Sequence, residues 1–144
     1  MTRAPAGAGS TQQEEHTMFG RTRAFSGFSV DDTETARRFY GETLGLEVTD
    51  LGGGLLRLEL AGGGQVLIYP KPDHVPATYT ILNFPVTHLE AAMGELRERG
   101  VEFENYDTDD LKTDAAGVSD DDTGPRIAWF KDPAGNILSV LEED

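Results

Sequence analysis

The sequence contains no cysteine. That absence alone excludes disulfides, thiolate catalysis and cysteine-based zinc or iron–sulfur centres. It also suits a reducing compartment, and a cytoplasmic location is the expectation. Histidine is scarce, with three residues, His16, His74 and His88. No run of 18 apolar residues occurs, so no membrane-spanning helix is expected. The first residues, MTRAPAGAGSTQQEEHT, lack the apolar segment of a secretory signal. Basic residues are also few, 12 against 26 acidic ones, for a formal charge of −14. A field of that sign repels phosphate backbones, so nucleic acid is not an expected partner. It favours a cationic small molecule, although solubility is the plainer use of such a surface.

What is present is patterned for one domain. Residues 1–21 offer almost nothing to bury and are expected to be a flexible tail, with His16 inert within it. Residues 22–144 carry the strand and helix signals. A first strand over Arg23–Val30 places Phe25 opposite in parity to Phe28 and Val30. Asp31 followed by Glu34 has the spacing of a capping box, and Ala36, Phe39, Tyr40 and Leu44 then recur at helical spacing until Gly45. Strands are expected over 46–49, 55–60 and 65–69, joined by glycine-rich turns. The proline-rich connector, residues 70–76, cannot sit in a central strand.

The pattern then begins again. A strand over 78–84 leads to a second capping box, Thr87 with Glu90, and to a helix faced by Leu89, Ala92, Met93 and Leu96 that ends at Gly100. Strands are expected over 101–104, 126–130 and 136–141, with a long acidic loop at 106–125. Val30, Glu34 and Ala36 match Val86, Glu90 and Ala92 at an offset of 56. Gly64 through Ile68 match Gly135 through Ser139 at an offset of 71. The chain is therefore read as two modules, 22–70 and 78–142, each strand–helix–three strands. Neither can cover its own sheet, and together they curve around a shared centre.

Three stretches carry a family resemblance: Phe28-Ser-Val-Asp-Asp32 running into Ala36-Arg-Arg-Phe-Tyr40, then Leu44-Gly-Leu-Glu-Val48, and Trp129-Phe-Lys-Asp-Pro-Ala-Gly-Asn136. Over about residues 22–142 the chain resembles the vicinal oxygen chelate superfamily of glyoxalases, extradiol dioxygenases and bleomycin-resistance proteins. The resemblance implies an α+β fold, two βαβββ modules forming a cupped mixed sheet around a cavity, and often a homodimer. Metal-using members take His, Glu or Gln ligands from the first and last strand of each module. Mapped by the resemblance and the repeat offsets, those positions are Phe25, Ile81, Ile68 and Ser139. Three are hydrocarbon and the fourth is a poor ligand for a divalent ion, so no metal and no cofactor is expected.

The expected function is binding of a small, partly apolar or cationic molecule in that cavity, as in resistance-protein relatives. The alternative is a glyoxalase-like lyase or dioxygenase that uses a metal or catalytic residues of another kind. Candidate ligand-binding residues are Phe25, Ile68, Tyr69, Ile81, Trp129, Ser139 and His74. Tyr79, Phe84 and Phe130 lie on strands that line or back the cavity. His74 stands beside Asp73, a neighbour able to orient an imidazole base. Arg57 and Arg126 are possible rim residues, His88 is expected to face solvent, and the acidic loop is a candidate lid.

Overall fold

A computed structural model describes residues 18–144. The expected tail therefore falls largely outside the described residues, His16 with it. Residues Phe19–Arg21 form one exposed helical turn.

Eight strands follow, β1 Ser26–Val30, β2 Glu47–Gly52, β3 Leu55–Glu59, β4 Gln65–Pro70, β5 Thr80–Val86, β6 Val118–Ser119, β7 Ile127–Lys131 and β8 Ile137–Glu142. They form two four-stranded sheets ordered β1-β4-β3-β2 and β5-β8-β7-β6. The topology is the same in each, with the first strand parallel to the last and the remaining pairs antiparallel. The duplication read from residue offsets is thus a duplication of strand order. The fold is α+β, built from two βαβββ modules of the same topology.

Each module carries one helix. Helix α1, Thr33–Arg38, widens into a π-turn over Phe39–Thr43, closed by Leu44 N–H donating to the Phe39 carbonyl at 2.9 Å. Gly45 ends it at φ 77°, a conformation that glycine adopts without steric cost. Helix α2 spans Leu89–Glu98. Neither expected capping box forms. Each helix begins one residue later than that spacing requires, at Asp32 and His88, without a side-chain cap bond. At α2 the orphaned Leu89 N–H instead donates to Glu142 Oε2 of β8 at 3.1 Å, so a long-range carboxylate does the work assigned to a local one.

Alternation decides which face is buried. Phe28, Val30, Leu56, Leu58, Val66 and Ile68 point to the helix side of the first sheet, where Ala36 of α1 and Tyr40 of the π-turn meet them. Phe130 and Leu138 of the second sheet join the same cluster, and the modules share one core. Leu89 and Met93 of α2 pack on Val118, Ala128 and Val140 in an adjoining cluster.

The second module departs from expectation between residues 101 and 125. No strand runs over 101–104. Phe103 makes a single bridge to Phe130, and the edge of the sheet is completed by the two-residue β6. The acidic stretch is a series of turns rather than a structureless loop. Tyr106 N–H donates to Thr113 Oγ1 at 2.8 Å, and Asp114 Oδ1 accepts from the N–H groups of Ala116 and Val118, both at 2.9 Å.

Candidate functional site

The face of the sheets away from the helices is shaped by what β1 lacks. Gly27 and Ser29 alternate with the inward Phe28 and Val30, so small side chains face out along this strand. Ser29 lies opposite Tyr69 of β4 in the parallel register. Facing them across the junction of the modules are Thr80 and Ile81 at the start of β5. Together with Val75, Ala77, Tyr79 and Asn136 these residues line a cavity of about 370 Å³. That is within the size range of small-molecule pockets. Ile81 reaches it because β5 is irregular there: Thr80 pairs with Ile137 and Leu82 with Leu138, leaving Ile81 as the extra residue of a bulge.

The turn between β7 and β8 holds the junction together. Asp132, itself buried, accepts hydrogen bonds on one oxygen from the N–H groups of Ala134 (3.0 Å) and Asn136 (2.8 Å). Its other oxygen accepts from Tyr40 Oη (2.7 Å) and Asn136 Nδ2 (3.1 Å). Asn136 Nδ2 also donates to the Ser29 carbonyl at 2.9 Å, and its Oδ1 accepts from Ala77 N–H at 3.0 Å. The Asp-Pro-Ala-Gly-Asn stretch thus ties α1, β1 and the connector to the second sheet. Burial, reinforced by the Asp132 carboxylate, raises the Tyr40 phenol well above its ordinary ionisation range.

His74 belongs to the same junction. Its Nδ1 lies 2.7 Å from Ser29 Oγ, and its Nε2 lies 2.9 Å from the Ala134 carbonyl. The neighbour pair expected from sequence does not form. The Asp73 carboxylate is exposed and lies 3.9 Å from Lys71 Nζ, while His74 is oriented by residues from β1 and the β7–β8 turn.

The structure disperses the other sequence-derived candidates. Tyr69 and Ile81 line the cavity. Phe25 precedes β1 with the same parity as Gly27 and is 64% exposed. Trp129 stands beside the cavity rather than in it. Its Nε1 donates to Thr80 Oγ1 at 3.2 Å, and its ring meets Tyr106 edge to face at 5.7 Å. Ile68 is wholly buried on the helix side of β4, opposite Phe28 and Leu56, and cannot touch a molecule in the cavity. The cavity-facing residue is its neighbour Tyr69, because consecutive strand residues face opposite ways. Ser139 is also wholly buried, with Oγ donating to Asn83 Oδ1 at 2.5 Å across the parallel register. Phe84 and Phe130 back the sheet within the core.

Arg57 is occupied by Glu59 at 2.5 Å. Arg126 is held by Glu90, by Glu142 at 3.3 Å and by Asp120 at 3.7 Å. Sequence reasoning missed Gly27, Ser29 and Thr80. The signal for the first two was strand alternation, which gives residues two and four positions after Phe25 the same face as Phe25.

A divalent ion would need convergent oxygen or nitrogen donors. The residues at the mapped positions are Phe25, Ile81, the buried Ile68 and the already bonded Ser139, a set that does not fit a metal. Among the described residues no three His, Asp or Glu side chains come together in a way that could hold one. A second cleft, of about 360 Å³, lies on the helix side between the Thr43–Leu46 turn and α2, floored by Phe84, Phe130 and Val140.

Comparison with known proteins places this geometry. No curated protein matches the chain at a significant level. Among solved structures, a member of the glyoxalase/bleomycin resistance protein/dioxygenase superfamily from Sphaerobacter thermophilus DSM 20745 is 26% identical. The match covers 85% of this chain and 98% of that one at a TM-score of 0.64. TnmS3, an antibiotic binding protein from Streptomyces sp. CB03234, shares the fold at 22% identity and a TM-score of 0.59, over 86% of this chain and 98% of its own. A glyoxalase/dioxygenase from Nostoc punctiforme does so at 16% identity and a TM-score of 0.61, over 86% and 92%. The sequence matches one family model from residue 15 to residue 140, across both modules and the turn that joins them, and the chain belongs to the Glyoxalase/Bleomycin resistance protein/Dioxygenase superfamily.

Proposed function

We propose that this chain is a metal-free binding protein that holds a small, partly apolar or cationic molecule in the cavity between its modules. One observation carries the reading. The cavity walls pair hydrocarbon and aromatic groups (Ile81, Tyr69, Tyr79) with uncharged hydroxyls (Ser29, Thr80), and no carboxylate or imidazole set able to coordinate a metal ion lines them. Such walls bind by burial, ring contact and a few hydrogen bonds. The formal charge of −14 favours a basic ligand over an acidic one. TnmS3, named as an antibiotic binding protein, lends the reading an analogy of fold.

A second copy of the chain is the proposed partner. Phe25, Val75 and Tyr79 are 64%, 78% and 70% exposed, and two of the three line the cavity, so association there would bury apolar surface and close the site. No helix among the described residues is long and apolar enough to cross a membrane. A cytoplasmic location remains our proposal from the cysteine-free composition.

Calorimetric titration with a panel of cationic and neutral aromatic compounds, paired with metal analysis of the purified protein, tests the reading. Binding by at least one compound, lost on Tyr69→Ala, is the expected result. Stoichiometric zinc, nickel, manganese or iron would overturn it in favour of a glyoxalase-like lyase or dioxygenase, as would failure of every compound to bind.

A further inference from the structure

We propose that Ser29 is a hydrogen-bond acceptor toward the cavity, held in that role by His74, and that the ligand presents an ammonium group to the β1 wall. The inference rests on the cavity being the ligand site and names the chemistry of what enters it.

A backbone carbonyl can only accept, so the His74 nitrogen facing Ala134 O at 2.9 Å must carry a proton. In a neutral imidazole the other nitrogen, Nδ1, then has a lone pair and no proton. Ser29 Oγ lies 2.7 Å from that lone pair and must donate its single proton to it. A hydroxyl has one proton and two acceptor sites. With its proton committed, the Ser29 hydroxyl can offer the cavity lone pairs only.

The surroundings make this assignment rigid. Ala134 is fixed by its own N–H donating to Asp132 Oδ1 at 3.0 Å, and Gly135 N–H closes the turn on the Asp132 carbonyl at 2.9 Å. The backbone N–H of His74 donates to the Lys71 carbonyl at 3.1 Å, which closes a turn in the connector at this residue. The Ser29 carbonyl is taken by Asn136 Nδ2, so of the two Ser29 oxygens it is the hydroxyl that can accept from a ligand. Ser29 lines the cavity opposite Tyr69, with Ile81 and Tyr79 as apolar and aromatic neighbours. An N–H donor carrying positive charge on an aromatic or aliphatic body satisfies both halves of this wall. A carboxylate would bring lone pairs against lone pairs in a strongly negative protein.

Two measurements on the full chain test it. Nitrogen-15 NMR of the imidazoles at about pH 8.5, above the ordinary histidine range, should show His74 as the Nε2–H tautomer. The Nδ1–H tautomer would overturn the inference. Calorimetry at the same pH with naphthylmethylammonium, methylnaphthalene and naphthoate should rank the ammonium first. Ser29→Ala should weaken the ammonium about tenfold and leave methylnaphthalene unchanged. If methylnaphthalene and the ammonium both bind wild type but Ser29→Ala keeps the same preference, the inference fails and the binding reading stands. If none of the three binds wild type, both fail.

Discussion

Tyr40 and Asp132, ninety-two residues apart, meet through a buried hydrogen bond of 2.7 Å that joins the helix of the first module to the last turn of the second. The bond is charge-assisted, and the carboxylate also receives two backbone N–H groups and the Asn136 amide. It explains why an aromatic-tyrosine pair and a distant Asp-Pro-x-Gly-Asn turn occur in the same chain: each completes the other.

Tyr40→Phe should therefore destabilise the protein by about 2 kcal/mol, a fall in Tm of roughly 6–8 °C, without abolishing the fold. The Tyr40 phenol is raised above its ordinary value, so the stability it contributes is complete below about pH 10 and is lost as pH rises beyond that. Of the four tyrosines, Tyr40 should not ionise until alkaline unfolding, which ultraviolet titration followed beside circular dichroism would record.

Gly135→Ala should be costly at a position that looks like a plain turn. The residue has φ 87°, and a Cβ there would lie 3.0 Å from Pro76 Cγ of the connector. Backbone strain and displacement of the connector together should lower stability by about 2 kcal/mol. Chemical denaturation of the two proteins would measure it.

Ile68→Ala and Tyr69→Ala, adjacent in sequence, should have opposite consequences. Loss of the wholly buried Ile68 side chain should cost about 3–4 kcal/mol of stability while the folded fraction keeps its ligand affinity. Loss of Tyr69 should leave stability nearly unchanged and weaken ligand binding. Denaturation midpoints and titration isotherms for both variants distinguish the outcomes.

Acid should loosen the start of α2. The hydrogen bond from Arg126 holds the Glu90 carboxyl below its ordinary value of 4.5. Its contribution is therefore fully present above that pH and is lost as pH falls through the lower folded value. Glu90 is exposed, so the effect is small and salt-sensitive. The decline in Tm below pH 4.5 should be shallower in Glu90→Gln than in wild type, with the difference shrinking at high salt.

Much of the fold was legible because its signals are local or repeat. Alternation along 55–59 and 65–70, helical spacing after residues 32 and 88, and glycine stops at Gly45 and Gly100 all report φ, ψ and burial directly. The offset repeats predicted twice the same topology, and both sheets have it. The capping boxes were misread because their residue types fit a local bond that Glu142, fifty-three residues from Leu89, makes instead at α2. The strand expected at 101–104 shrank to one bridge because β6, which lies within the acidic stretch, takes most of that edge.

The sequence by itself determined the module, its duplication, the family pattern and the chemical poverty of the positions where a metal would sit. These follow from residue type and spacing, which need no partner. Only the tertiary structure decided which side of β4 meets the cavity, that Ser139 is closed off by Asn83, and that His74 answers to Ser29 and Ala134 rather than to Asp73. Strand parity fixes faces only once register and bulges are known, and a hydrogen-bond partner forty-five or sixty residues away leaves no mark in the residues beside it.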